Sequence, residues 1–186
     1  KITRALSRIA LGMQEKLFLG NLSSKRDWGH AKDYIRAMHA ILQQDEPDDY
    51  VIATGITTSI RDFVKLAGSE LGLSITFKGE EEQELGFLTK IDEGLFKEKV
   101  GVTTLENMVT LMNNKKAIIA VDPKYFRPTE VDLLIGDPTK SNTKLNWKPE
   151  YDLAGLVKEM MESDIILFKK DAYLKKGGFD TLNYFE

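Results

Sequence analysis

The chain contains no cysteine, which excludes disulfides, a thiol nucleophile and any zinc–thiolate centre. Its two histidines, His30 and His39, are too few and too far apart in sequence to build a metal cluster of their own, so no metal site is expected. Both read as ordinary helix-surface or satisfied core residues. The glycines never recur at Gly-x-Gly or Gly-x-x-Gly spacing, so no dinucleotide-binding turn is present. None of the tyrosines (34, 50, 125, 151, 173 and 184) is followed four residues later by lysine. A Tyr-x-x-x-Lys catalytic pair is therefore missing, and no catalytic residue is assigned to this chain. No apolar run approaches a membrane span and no signal peptide is recognisable, so neither a membrane partner nor export is expected. A net charge of −3, with no basic stripe, argues against a nucleic-acid partner. These absences fit a cytoplasmic protein.

What remains is a chain of 186 residues, 42% hydrophobic and 30% charged, enough for one sizeable core. It opens on Lys1 rather than methionine, which reads as a processed chain or a fragment. Residues 2–13 place Ile2, Ala5, Leu6, Ile9 and Met13 on one helical face, with Arg4 and Arg8 turned away and no N-cap before them. Leu17-Phe18-Leu19 reads as a short strand. Asp27 is expected to cap a helix to about Gln44 that buries Ala31, Tyr34, Ile35, Met38, Ile41 and Leu42. Tyr50-Val51-Ile52-Ala53 is apolar without alternation, as in a strand covered on both faces of a mostly parallel sheet. Ser59 and Asp62 form a capping box before a helix carrying Ile60, Phe63, Val64, Ala67 and Leu71, which Gly72 ends.

Residues 79–116 differ in texture, beginning with the acidic run Glu80 to Glu84, and read as a variable excursion from the core with a helix near 104–112. Ile75 to Phe77 and Lys116 to Val121 are strand-like. Asp137-Pro138 opens a short helix. Asp152 opens a longer one that carries Leu153, Leu156, Val157, Met160, Leu167 and Phe168.

Two features carry chemistry. Arg26 stands where the run Gly20-Asn21-Leu22-Ser23-Ser24 gives way to regular structure. Arg127 lies in the extended loop Asp122 to Pro128, three residues before Glu130. Guanidinium groups offer planar forks for phosphate oxygens, and two of them can clamp a diphosphate. A carboxylate nearby suits the vicinal hydroxyls of a ribose. An Arg-x-x-Glu pair is otherwise a surface ion pair of little energetic weight.

The segments "LGNLSSKRDWGHAKDY", "DDYVIATG", "VDPKYFRPTEVDLLIGDPTK" and "LNWKPE" resemble, in order and over nearly the whole chain outside 79–116, the GDP-mannose 4,6-dehydratases. These are extended short-chain dehydrogenase/reductases. Ser141 and Asn146 replace the alanine and glycine usual in that pattern.

The resemblance implies an α/β fold, the C-terminal substrate-binding part of a Rossmann-type enzyme, with mixed helices and short strands. It implies a separate N-terminal Rossmann part that binds NADP and carries a threonine, a glutamate and the Tyr-x-x-x-Lys pair. That reaction converts GDP-mannose to GDP-4-keto-6-deoxymannose, on the route to GDP-fucose and other deoxyhexoses.

By resemblance, Lys1 lies near the guanine, Gly20 passes close to the base or ribose, Arg26 and Arg127 hold the diphosphate, and Glu130 holds the ribose. The expected partners are GDP-mannose, the Rossmann part and further copies in a homo-oligomer. By resemblance, too, Tyr50 to Ala53 joins the edge of the Rossmann sheet, so the chain alone is expected to self-associate there. A GDP-4-keto-6-deoxymannose reductase and a non-catalytic nucleotide-binding or assembly module are the alternatives.

Overall fold

The computed structural model describes residues 1–129 and 134–181. Helix α1 (Ile2–Ala10) buries Ile2, Ala5, Leu6, Ile9 and Ala10, and starts at Lys1 without a side-chain cap. Strand β1 (Leu17–Leu19) follows, then β2 (Lys25–Asp27), α2 (Ala31–Leu42), β3 (Thr57–Ser59) and α3 (Ile60–Ser69). Next come β4 (Leu73–Lys78), a 3-10 turn (Glu81–Gln83), β5 (Leu85–Ile91), α4 (Glu93–Lys99) and α5 (Leu105–Asn113). The order ends with β6 (Ala117–Val121), α6 (Thr139–Lys144) and α7 (Leu153–Lys176).

Four strands form the main sheet in the order β1-β6-β5-β4. β1 and β6 are parallel, with Leu17 opposite Ile119, while β5 runs antiparallel to both of its neighbours. All five residues of β6 are buried, which explains its continuous apolar run. Helices α1, α3 and α7 pack on one another, and α3 lies against β4. Phe63, Val64 and Ala67 of α3, Leu6 and Ile9 of α1, and Val157, Met161 and Ile165 of α7 fill the space between. Ser59 caps α3 as expected, accepting from the Asp62 N–H at 3.0 Å and donating to its carboxylate at 2.7 Å. Gly72 ends that region with φ +74°, where a Cβ would meet the Asp92 carbonyl oxygen at 2.7 Å.

Five expectations are corrected. Asp27 caps no helix: it ends β2, and His30 caps α2 by accepting the Lys32 N–H on Nδ1 at 3.1 Å. The face that α2 buries carries Asp33 and Ala37, while Ala31, Ile35, Met38 and Leu42 stay exposed. The reason is polar. The Asp33 carboxylate accepts the Glu150 and Tyr151 N–H groups, and its carbonyl accepts the Trp147 indole N–H at 2.9 Å. The segment Leu145 to Glu150 therefore docks on that side of the helix.

Tyr50 to Ala53 forms no strand; Val51 and Ala53 instead pack beside Gly136, and the Val51 carbonyl accepts from Ser141. Arg4 and Arg8 are not turned away, since their guanidinium carbons lie 5.6 and 5.3 Å from the Phe168 ring centroid on α7. In α7 the buried apolar residues are Val157, Met161, Ile165 and Phe168.

Residues 79–116 also stand within the core. β5 occupies an inner position in the sheet, and Leu88, Phe96, Val100 and Met108 are core residues. Glu84, buried at the head of β5, forms a two-pronged ion pair with Arg61 of α3 at 2.5 and 2.8 Å. That hydrogen bond holds the Arg61 guanidinium still more firmly charged.

Candidate nucleotide site

β1 and β6 are neighbours, so their C-terminal ends deliver two loops side by side. After Leu19 the chain enters Gly20 and Asn21; after Val121 it enters the loop Asp122 to Pro128. The Leu19 carbonyl accepts the Asp122 N–H at 2.8 Å, which continues the ladder by one step. Asn21 then clasps the second loop, donating from Nδ2 to the Arg127 carbonyl at 2.7 Å and accepting the Arg127 N–H on Oδ1 at 2.8 Å. A primary amide matches a peptide group in this way with both of its functions satisfied. The Arg127 backbone is thereby fixed while its side chain remains exposed.

Gly20 has a local reason to be glycine. A Cβ there would lie 2.3 Å from the Tyr125 carbonyl oxygen, so the close approach is made by the protein's own backbone. Lys1 closes the same corner, with its ammonium 4.2 Å from the Tyr125 ring centroid. Lys1, Gly20 and Arg127 thus gather around the Tyr125 loop.

Arg26 sits on β2, opposite Thr58 of β3, and donates from Nη1 to the Lys25 carbonyl at 2.8 Å. Its neighbour Asp27 anchors the strand. The carboxylate accepts from the Thr54 N–H at 3.1 Å, the Thr54 hydroxyl at 2.7 Å and the Gly55 N–H at 2.9 Å. Trp28 braces the next position by packing its tilted ring against Phe63, with centroids 4.3 Å apart, and donating its indole N–H to the Thr58 carbonyl. A cavity of about 240 Å³ opens beside this ribbon, lined by Trp28, Thr54, Thr58 and Tyr151 among others; Arg26 is not part of its wall. Glu130 lies outside the described residues.

Sequence reasoning missed Asn21 and Tyr125, although both stand inside the quoted segments. A loop asparagine carries no local sign that it will clasp a backbone 106 residues away. His30 took its expected bland role. It is a buried helix cap, stacked at 4.0 Å on Tyr151, with Nε2 3.2 Å from Glu159. Bonds from Lys32 first, and His30 second, hold the Glu159 carboxyl below its ordinary value. Among the described residues no group of three or more histidines and carboxylates is placed to hold a metal ion. No helix there is long and apolar enough to cross a membrane.

The fold of this chain recurs in enzymes of solved structure whose sequences differ widely from it. RMD from Pseudomonas aeruginosa, solved with NADPH, superposes with a TM-score of 0.59 at 15% identity, covering 89% of this chain and 41% of that one. The dTDP-glucose 4,6-dehydratase of Bacillus anthracis, solved with NAD, gives 0.55 at 15% identity, covering 93% and 40%.

Sequence narrows the class. Residues 1–160 match the family described as GDP-mannose 4,6 dehydratase. The GDP-mannose 4,6-dehydratase of Yersinia enterocolitica is 44% identical over 97% of this chain and 45% of its own length. That of Sinorhizobium fredii is 46% identical over 89% and 40%, and the human enzyme 43% identical over 91% and 39%. The chain belongs to the GDP-mannose 4,6-dehydratase family, and it spans less than half the length of these relatives.

Proposed function

We propose that this chain forms the nucleotide-holding part of a GDP-mannose 4,6-dehydratase, gripping the GDP end of GDP-mannose. The reading rests on the clasp of Asn21 on Arg127, which ties two of the family's segments together at the mouth of the parallel β1–β6 pair. Ligand sites in sheets of this kind lie beyond the carboxyl ends of the strands.

In this reading the exposed Arg127 guanidinium pairs with the diphosphate, and Arg26 on the anchored β2 ribbon supplies the second fork. Lys1 and Gly20 border the base and ribose, and Glu130 accepts from the ribose hydroxyls. The role of these groups is to bind and orient, so that the sugar is held in one register for chemistry performed elsewhere.

NADP enters only as a ligand of residues outside this chain. Among the described residues β2 leads to α2 through Gly29 and β4 to the 3-10 turn through Gly79, but neither glycine has a second one at the spacing of a dinucleotide turn. The one direct strand-to-helix passage, β3 into α3, has its Asp62 N–H already taken by Ser59. The dehydratase reaction, its cofactor and its base accordingly belong to the longer enzyme, as does that enzyme's own homo-oligomer.

Titration calorimetry with GDP tests the reading. GDP should bind the chain more tightly than guanosine, and Arg127→Ala should weaken GDP by about 1.5–3 kcal/mol, the range for hydrogen bonds to charged groups. Equal binding of GDP and guanosine, or an Arg127→Ala variant that binds GDP normally, would overturn it. Incubated with GDP-mannose and NADP, the chain alone should form no product. Product above a protein-free control would mean that the catalytic groups are here after all.

A further inference from the structure

The β4–β5 hairpin carries a second candidate site, on a face that the nucleotide reading leaves unused. Thr76 and Lys78 alternate along β4 with Leu73 and Ile75, so the first pair faces away from the core that the second pair fills. Phe87 stands opposite Thr76 in the ladder and shares its outward face. The end of α5 overhangs this surface with Met112 and Lys115. The open cleft between them, about 520 Å³, is more than twice the size of the one beside β2 and falls in the range that takes small molecules.

Three features define its chemistry. The apolar part of the wall includes an aromatic ring, Phe87, and a deformable thioether, Met112. The charged part is of one sign: Lys78 and Lys115 line the cavity and no carboxylate does, although the chain holds more acidic than basic residues. Neither ammonium has a hydrogen-bond or ion-pair partner among the described residues.

Lys115 also occupies a position suited to glycine. Its φ is +50°, and it closes α5 by donating its N–H to the Met112 carbonyl while Lys116 donates to Leu111. A lysine there bears a conformational cost that glycine avoids. The cost is intelligible if the ammonium is needed over the cavity.

We propose that this cavity binds a small organic anion: a flat apolar body that lies against Phe87 and Met112, ending in a carboxylate or phosphate that pairs with Lys78 and Lys115. The Thr76 hydroxyl, also in the wall, offers a bond that sets its orientation, while the Thr89 hydroxyl donates to the Ser74 carbonyl at 3.3 Å.

The test is amide NMR on the 186-residue chain with three probes: 2-naphthoate, 2-naphthyl phosphate and the neutral 2-naphthalenemethanol. Both anions should shift amides in 76–78, 87–89 and 112–115 and saturate, the tighter one identifying the acid group. The neutral alcohol should bind about tenfold more weakly or worse. The Lys78→Gln/Lys115→Gln double variant should lose about tenfold for the anions with little change for the alcohol. Lys115→Gly should raise the melting temperature while weakening anion binding, which separates the ligand role from the fold. Anions and alcohol binding alike, shifts centred elsewhere (the exposed face of α2, for example), or no saturation at millimolar concentration would each overturn the proposal. GDP binding at Arg127 is a separate measurement and stands or falls alone.

Discussion

Residues 79–116 and residues 43–59 exchange the roles that their composition suggests. The first begins with an acidic run yet supplies β5, an inner strand of the sheet, together with Phe96 and Met108 of the core. The second contains the apolar run Tyr50 to Ala53 yet forms no strand before β3, and Val51 stands exposed. The difference lies in partners. β5 finds β4 on one side and β6 on the other, and the alternation of its first half matches a sheet with one covered face. The 50–53 run has no strand beside it, and an isolated extended segment cannot satisfy its own backbone. Its Val51 carbonyl accepts instead from the Ser141 hydroxyl, and Val51 and Ala53 pack beside Gly136.

The contrast breaks most sharply at two apolar side chains. Phe96 is completely buried on α4, whereas Ile35 on α2 is 63% exposed. Phe96→Ala should cost about 3–5 kcal/mol in urea unfolding, through lost transfer energy and the cavity left behind. Ile35→Ala should stay within about 0.5 kcal/mol. A mild Phe96→Ala would mean that residues 79–116 are peripheral after all.

The same exposure sets the next effect. Ile35, Met38 and Leu42 lie on one face of α2, Leu42 being 79% exposed, and Val51 adds to the apolar surface of the chain. Light scattering on the chain alone should report more than monomer at micromolar concentration. Met38→Glu should weaken that association by about tenfold or more, since fully burying such a side chain is worth about 1.5–3 kcal/mol. The original reason for expecting association, a free strand edge at 50–53, does not hold, because no strand forms there. If Ile52→Glu acted more strongly than Met38→Glu, extended pairing through this segment would regain its place.

Local grammar was legible in the sequence. Ser59 and Asp152 cap the helices they were expected to cap, and β1, β4 and β6 fall where apolar runs announced them. Nonlocal pairing was not. The apolar spacing of α2 favoured burying Ile35 and Met38, but the buried carboxylate of Asp33 receives two N–H groups from a segment 117 and 118 residues away. No periodicity encodes that demand. Likewise β2 and β3 are three-residue strands, too short to show a pattern, and they exist because each is the other's partner. At the candidate site the charged residues stood out by type and by resemblance, while the groups that hold them in place, Asn21 and Asp27, act through contacts invisible to spacing.

The smallest expected effect concerns what fastens the 43–59 region in place of a ladder. Asp48 accepts from Lys140 at 2.5 Å and Lys144 at 3.1 Å, both on α6, and from the Asp49 N–H at 2.9 Å. These bonds, that to Lys140 foremost, pull its carboxyl from 3.8 down to about 2. A folded value below the unfolded one means that the unfolded chain binds the proton more readily in between. The contribution of Asp48 is therefore fully present above about pH 4 and is lost as pH falls through about 2. Because the group is solvent-exposed, the contribution is modest and weakens with salt. Carboxyl-carbon NMR should find a midpoint near 2, moving back toward 3.8 in Lys140→Gln. Over the same titration the amides of residues 48–53 should shift while those of β4 and β5 stay still. A midpoint at the ordinary value, or equal movement in both regions, would show that this segment is held by its apolar contacts with Gly136 rather than by charge.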